Sequence, residues 1–184
     1  MDVIVNSFLL VFAGEMGDKT QLLALLLAAR YKKPWTILAG VLVATLLNHA
    51  LSAGFGIWAS EWLDPGVLRW VLAGLFFAFA LWILIPDKQE EMKEVGAFGA
   101  FLTTVFCFFM AEMGDKTQFA TLALAARYQQ LWLVTLGTTF GMLAANALAV
   151  FTGDKLLQKI PMKWVRIVAS FLFVLFGIGV LLKT

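Results

Sequence analysis

The heptapeptide Glu-Met-Gly-Asp-Lys-Thr-Gln occurs twice in this chain, at residues 15–21 and 112–118. Shifted by 97 positions, residues 15–31 align with 112–128, and 13 of those 17 positions are identical. Beyond the match, Trp35 falls on Trp132, Gly40 on Gly137, Gly56 on Gly153 and Arg69 on Arg166. Agreement over that length marks an internal duplication, so the fold has to be assembled from two similar halves.

Both halves are apolar. Hydrophobic residues make up 61% of the 184-residue chain and charged residues only 14%, against roughly 25% charged in soluble domains. A surface so poor in charge needs lipid as its solvent. Six runs approach the roughly 20 apolar residues that cross a hydrocarbon core, at 3–29, 35–58, 67–85, 96–126, 132–151 and 164–182. All four prolines (Pro34, Pro65, Pro86, Pro161) fall between the runs, where helices end. Trp35, Trp58, Trp62, Trp70, Trp82, Trp132 and Trp164 sit near the run ends, as an interfacial belt requires. The expectation is an all-α membrane protein of six transmembrane helices. It divides into a first three-helix repeat (1–86), a charged linker (87–95) and a second three-helix repeat (96–184).

Basic residues orient the spans. Arg30, Lys32, Lys33, Lys88, Lys93, Lys155, Lys159, Lys163 and Arg166 lie on one side, and only Arg69, Arg127 and Lys183 on the other. The positive-inside rule puts the nine in the cytoplasm and both termini outside, in the periplasm if the membrane is a bacterial inner membrane. Three spans per copy is an odd number, so the second copy enters from the opposite side. The repeat is therefore inverted, as in many secondary transporters. The first run lacks a basic leader, since Asp2 is the only charge before Glu15. It reads as a retained helix and not a cleaved signal. A net charge of +2, spread in short clusters, excludes a nucleic-acid partner. Cys107 stands alone, so no internal disulfide is available.

The motif supplies the chemistry. Glu15 lies roughly 18 Å into the first span at 1.5 Å per residue, and Glu112 is similarly deep. A carboxylate at that depth costs several kcal/mol unless it faces the bundle interior and finds a partner. On a continuous helix, Glu15, Asp18 and Gln21 share one face, as do Glu112, Asp115 and Gln118. Carboxylates and amide carbonyls are hard oxygen donors for Ca²⁺, Mg²⁺ or Mn²⁺. Glu15, Asp18, Glu112 and Asp115 are the candidate metal ligands. Gln21, Gln118, Thr20, Thr117, Lys19 and Lys116 are candidates for further ligation or for supporting the ligands. Four acids against Lys19 and Lys116 leave a charge of −2, which one divalent cation matches. A purely architectural reading pairs Glu15 with Lys19 and Glu112 with Lys116, but it leaves Asp18 and Asp115 without a role.

Gly17 and Gly114 either open the helix, as in broken transporter helices, or permit close packing. Met16 and Met113 either lend a thioether or pack. His49 aligns with Asn146 and is a candidate proton relay or a hydrogen-bonded packing residue. Asn48, Thr103 and Thr104 either line a pathway or bond to backbone.

Two Glu-x-Gly-Asp-Lys/Arg-Thr/Ser motifs on the first and fourth of six spans resemble a small membrane family of cation/proton exchangers. Its members include bacterial manganese exporters and the Golgi calcium/manganese transporters of eukaryotes. The likeness covers both motifs (Glu15 to Thr20 and Glu112 to Thr117), the duplication and the charged central linker. It implies transport of Mn²⁺, or Ca²⁺, coupled to protons, with no resident cofactor and no enzymatic activity. It leaves the oligomeric state open, a homodimer included. A passive channel would use the same oxygen donors as a filter. An intramembrane aspartyl protease would need Gly, not Glu15, two positions before Gly17, and an aspartate after Tyr31 or Tyr128; the chain has neither.

Overall fold

A computed structural model of the chain describes residues 2–85, 99–153 and 161–182. These form eight helices and no strand: α1 (Asp2–Glu15), α2 (Lys19–Tyr31), α3 (Pro34–Ser60), α4 (Pro65–Trp82), α5 (Ala100–Glu112), α6 (Lys116–Tyr128), α7 (Leu131–Thr152) and α8 (Met162–Leu182). Local sequence explains the boundaries. Pro34 and Pro65 open α3 and α4, where a missing N–H costs nothing and φ is already helical. Lys32 and Gln129, equivalent under the repeat, take left-handed φ values of 52° and 54°. Each returns its N–H to the carbonyl four residues back, Ala28 and Ala125, at 2.9 Å. This closes α2 and α6 with the same left-handed cap.

Four helices, α3, α4, α7 and α8, are long and apolar enough to cross a membrane. Their limits fall within a few residues of the expected spans. The runs 3–29 and 96–126 differ from expectation. Each is two shorter helices, α1 with α2 and α5 with α6, interrupted at the Glu-Met-Gly-Asp sequence. The shared stripe expected along one helix face therefore does not form, because Glu15 ends one helix and Gln21 belongs to the next. The linker 87–95, with Lys88 and Lys93, and also Lys155, Lys159 and Lys183, lie outside the described residues.

Polarity is arranged inside out. All seven tryptophans are exposed, from 38% at Trp82 to 75% at Trp62, while Glu15, Gln21, Thr45, Asn48, His49, Glu112 and Asn146 are at most 1% exposed. Apolar side chains facing outward with polar groups within suit a bilayer and not water.

Helix pairs recur in reciprocal form. α1 packs on α7 as α5 packs on α3, α2 on α7 as α6 on α3, and α1 on α6 as α5 on α2. Small residues permit the closest approaches. A Cβ at Gly141 would lie 2.6 Å from the carbonyl oxygen of Phe8 on α1, and one at Gly56 would collide with the backbone of Leu122 on α6. Such backbone-to-backbone contact replaces the hydrophobic drive that lipid cannot supply. Together α3 and α7 wall in the two helix breaks.

Candidate metal site

Each break is built in the same way. α1 ends at Glu15, Gly17 adopts φ 82°, and the N–H of Asp18 donates to the Glu15 carbonyl at 3.1 Å. In the second copy Gly114 adopts φ 80°, and the Asp115 N–H donates to the Glu112 carbonyl at 3.1 Å. That left-handed backbone is the reason for glycine here. A Cβ at Gly114 would meet nothing within 4 Å, so close packing is not what the position requires. Gln21 and Gln118 latch the turns: their Oε1 atoms accept the N–H of Gly17 at 2.7 Å and of Gly114 at 2.6 Å. Gln21 also donates Nε2 to the Ala145 carbonyl on α7 at 2.7 Å and contacts the Met16 sulfur at 3.6 Å. Met113 is 56% exposed.

The breaks leave both glutamates at helix C-termini and both aspartates as the residues that begin the next helices. Asp115 accepts from the Thr117 N–H at 3.5 Å, whereas Asp18 makes no side-chain cap. Thr20 donates its hydroxyl to Glu15 Oε2 at 2.9 Å, and Thr117 donates to Glu112 Oε2 at 3.4 Å. Thr20 and Thr117 thus each fix one carboxylate oxygen from the far side of the break.

The two motifs meet. Glu15, Glu112 and Asp115 each present an oxygen within 4.8 Å of the others, and they are 0%, 1% and 5% exposed. Asp18 lies outside this trio and is also buried. Lys19 places Nζ 3.3 Å from Asp115 Oδ1 of the other copy, so it bridges the halves and does not neutralise Glu15. Lys116 donates to the Ile85 carbonyl at 3.4 Å. Oε1 of Glu15 and Oε1 of Glu112 are inaccessible and have no hydrogen-bond partner among the described residues. Burying such oxygens uncompensated costs several kcal/mol. Oxygens on opposite sides of an Mg²⁺- to Ca²⁺-sized ion are roughly 4–5 Å apart at usual bond lengths. The donor type, the spacing and the unsatisfied oxygens all fit a divalent cation as substrate.

Asn48 and His49, already candidates from the sequence, belong to a polar wall on α3 and α7 whose threonines and serine motif reading did not single out. α3 buries Thr45, Asn48, His49 and Ser52, and α7 buries Thr135, Thr138, Thr139 and Asn146. The signal was present as i, i+3, i+4 spacing within otherwise apolar spans. Among the described residues both ring nitrogens of His49 lack a partner, as do the side-chain oxygens of Thr45, Thr135 and Thr139. Asn48 donates to the Phe109 carbonyl at 3.1 Å and Asn146 to the Met142 carbonyl at 3.0 Å. Thr104 bonds back to the Ala100 carbonyl at 2.7 Å, and Thr103 receives the Tyr31 hydroxyl at 3.2 Å.

Comparison with known proteins agrees with this chemistry. Residues 3–91 and 100–184 match the family described as "Divalent cation/proton antiporter GDT1". A protein of Vibrio cholerae named "Putative manganese exporter" is 46% identical over 180 residues, covering 97% of this chain and 90% of its own. GDT1-like protein 5 of Arabidopsis thaliana is 31% identical, covering 96% of this chain and 94% of its own length. GDT1-like protein 3 of the same plant is 28% identical, covering 97% and 70%. No solved structure matches the chain. With its doubled motif and a match running along both halves, the chain belongs to the GDT1 family of divalent cation/proton antiporters.

Proposed function

We propose that the protein exports Mn²⁺, or Ca²⁺, from the cytoplasm of a bacterial cell in exchange for protons. Glu15, Asp18, Glu112 and Asp115 serve as the shared binding groups. The observation that carries this reading is the meeting of three buried carboxylates from the two copies within 4.8 Å, two of them with an oxygen that no group among the described residues satisfies. The name of the Vibrio cholerae relative favours manganese as the physiological cargo.

The broken helices are read as the first and fourth of six spans, α1–α2 and α5–α6, in two inverted three-helix repeats of the inner membrane with both termini outside. The reciprocal helix pairing supports this topology. The glutamates then sit where α1 and α5 end. There the negative end of each helix dipole favours a cation, an arrangement broken transporter helices share.

The cycle follows from charge. Three carboxylates this close repel one another, and Lys19 relieves one charge. The remainder is relieved by a divalent ion or by protons, and the two compete because a metal ligand must be deprotonated. Metal enters from the cytoplasm onto the deprotonated site. The halves rearrange, protons from the outside displace the metal, and the protonated site returns. Thr20 and Thr117 keep the glutamate oxygens aimed while the occupant changes.

The test is metal flux in proteoliposomes under a pH gradient. Asp115→Asn and Glu112→Gln should each abolish uphill Mn²⁺ movement while the protein still inserts and elutes as folded material. Wild-type flux by Asp115→Asn would remove that residue from the site.

A further inference from the structure

We infer that the protein carries a second binding site, for the phosphate of an anionic phospholipid headgroup, where α4 begins and α6 ends. A cavity of about 580 Å³ there is lined by Pro65, Gly66, Arg69, Leu72, Arg127 and Val180, with Leu68, Ala126 and Tyr128 completing the wall. Two guanidinium groups thus share one pocket, and neither forms an ion pair among the described residues. Arg69 stacks on its neighbour Trp70 at 5.9 Å, and its buried Nε has no acceptor among the described residues. Arg127 stacks on Tyr128 at 5.7 Å and, among the described residues, gives only Nη2, at 3.2 Å, to the Gly179 carbonyl. Tyr128 is fixed by Asn6, which donates to its hydroxyl at 3.0 Å.

A third donor set faces the same space. Pro65 and Gly66 form the first turn of α4, and Asp64 provides no side-chain cap, so N–H groups of that turn remain available to an anion. Two arginines and a helix N-terminus form a site for a phosphate-type oxyanion, which the planar guanidinium fork suits. The rest of the lining is apolar, and Val67, Trp70 and Leu182 beside it are 49%, 64% and 75% exposed. A ligand with a phosphate head and an acyl tail satisfies both surfaces, with Trp70 at headgroup level.

The repeat supplies a control. Arg166 and Arg30 are the equivalents of Arg69 and Arg127, but α8 and α2 do not pack together as α4 and α6 do. The second pair of arginines is therefore not gathered into a matching pocket by those helices. The proposal is independent of the transport cycle, because lipid binding is read without moving metal.

Detergent-purified protein would be mixed with phosphatidylglycerol, phosphatidylcholine or inorganic phosphate and examined by native mass spectrometry and thermal unfolding. Arg69 makes no hydrogen bond within the described protein, so Arg69→Gln should fold, with its unfolding midpoint without lipid as the check. The expected result is phosphatidylglycerol retention by the wild type that falls about 10-fold in Arg69→Gln, the loss of one charge-assisted bond. Retention should be partly restored in Arg69→Lys and unchanged in Arg166→Gln. Competition by millimolar inorganic phosphate alone would assign the same chemistry to a soluble anion. Equal retention of the two lipids, or by wild type and Arg69→Gln, would overturn the site.

Discussion

Charge counting at the paired breaks fixes how exchange should respond to pH and to voltage. Glu15, Glu112 and Asp115 bring three negative charges together, and Lys19 returns one at 3.3 Å. Asp18 and Lys116 add one of each sign, so the balance is −2. One divalent cation or two protons neutralise that balance, and a carrier that alternates between the two moves no net charge. Each proton yields about 1.36 kcal/mol per pH unit, so two supply about 2.7 kcal/mol. That sustains a metal ratio of roughly 100-fold per pH unit, with metal gathering on the acidic side because protons leave it. A potential of 100 mV acts on one net charge with about 2.3 kcal/mol, nearly 50-fold, and here should find nothing to act on. Proteoliposomes holding a metal-sensitive dye, clamped by a potassium diffusion potential and set at a fixed pH difference, measure the balance point directly. A metal ratio near 10-fold per pH unit that shifts with voltage would mean a single proton per cycle and refute the charge count.

Two further outcomes test the architecture. Gly114→Ala should cost about 1–2 kcal/mol from its left-handed backbone alone, since its Cβ would meet open space. Gly141→Ala should cost more, because its Cβ would come within 2.6 Å of the Phe8 carbonyl and push α7 off α1. Thermal unfolding in detergent ranks the two, and the reverse order would contradict the roles given to these glycines. Thr20→Val removes the 2.9 Å bond to Glu15 Oε2 while keeping side-chain shape, and should weaken Mn²⁺ binding about 10-fold. Thr20→Ser should restore it in the same titration, and an unchanged affinity in Thr20→Val would show that the hydroxyl does not orient the carboxylate.

Much of this was legible in the sequence because lipid imposes strong rules. Length, proline placement and tryptophan position gave α3, α4, α7 and α8 to within a few residues, since a span must satisfy its own backbone bonds. The duplication pointed to acids that the fold buries, and the fold brings three of them, Glu15, Glu112 and Asp115, together, because buried carboxylates at depth are costly unless they gather partners. The breaks were less legible. Hydropathy averages across residues 15–18, and a helix interrupted there stays apolar on both sides. The one local cue, Gly17 and Gly114, has two physical readings that only the φ angle separates. The architectural pairing of Lys19 with Glu15 rested on the i, i+4 rule, which presumes a continuous helix; with α1 ended at Glu15, the Lys19 side chain reaches Asp115 of the other copy. Of the polar wall on α3 and α7, Asn48 and His49 stand out in the sequence but the threonines do not, because single threonines in apolar runs usually bond their own helix, as Thr138 does with the Val134 carbonyl at 2.9 Å, whereas Thr135 and Thr139 have no such partner among the described residues.

The departures from symmetry say most about mechanism. α8 packs on α1 and α4 packs on α6, yet the reciprocal pairs, α4 on α5 and α8 on α2, make no comparable contact. The buried core divides along the same line. Phe76, Phe79, Ala169 and Phe173 of α4 and α8 join Leu10 of α1 and Ala120, Ala123 and Leu124 of α6. Leu23, Leu27, Ile37, Val41 and Phe108 of α2, α3 and α5 form a separate cluster without them. In the proposed topology α1 and α6 are the outer halves of the two broken spans, so α4 and α8 cover the carboxylates from outside and leave the cytoplasmic halves less covered. Phe76 and Phe173 are each other's equivalents under the repeat, and their rings lie 6.4 Å apart. A contact between equivalent residues lies on the symmetry axis, and it survives when the two arrangements exchange. Tilting α4 and α8 about it would trade contacts with α1 and α6 for equivalent ones with α5 and α2, while the glycine-mediated pairs α1–α7 and α3–α5 stay closed. Under the proposed exchange, the duplication makes the two covers chemically similar, so a modest difference in how the carboxylate site's occupant binds the two arrangements would choose between them.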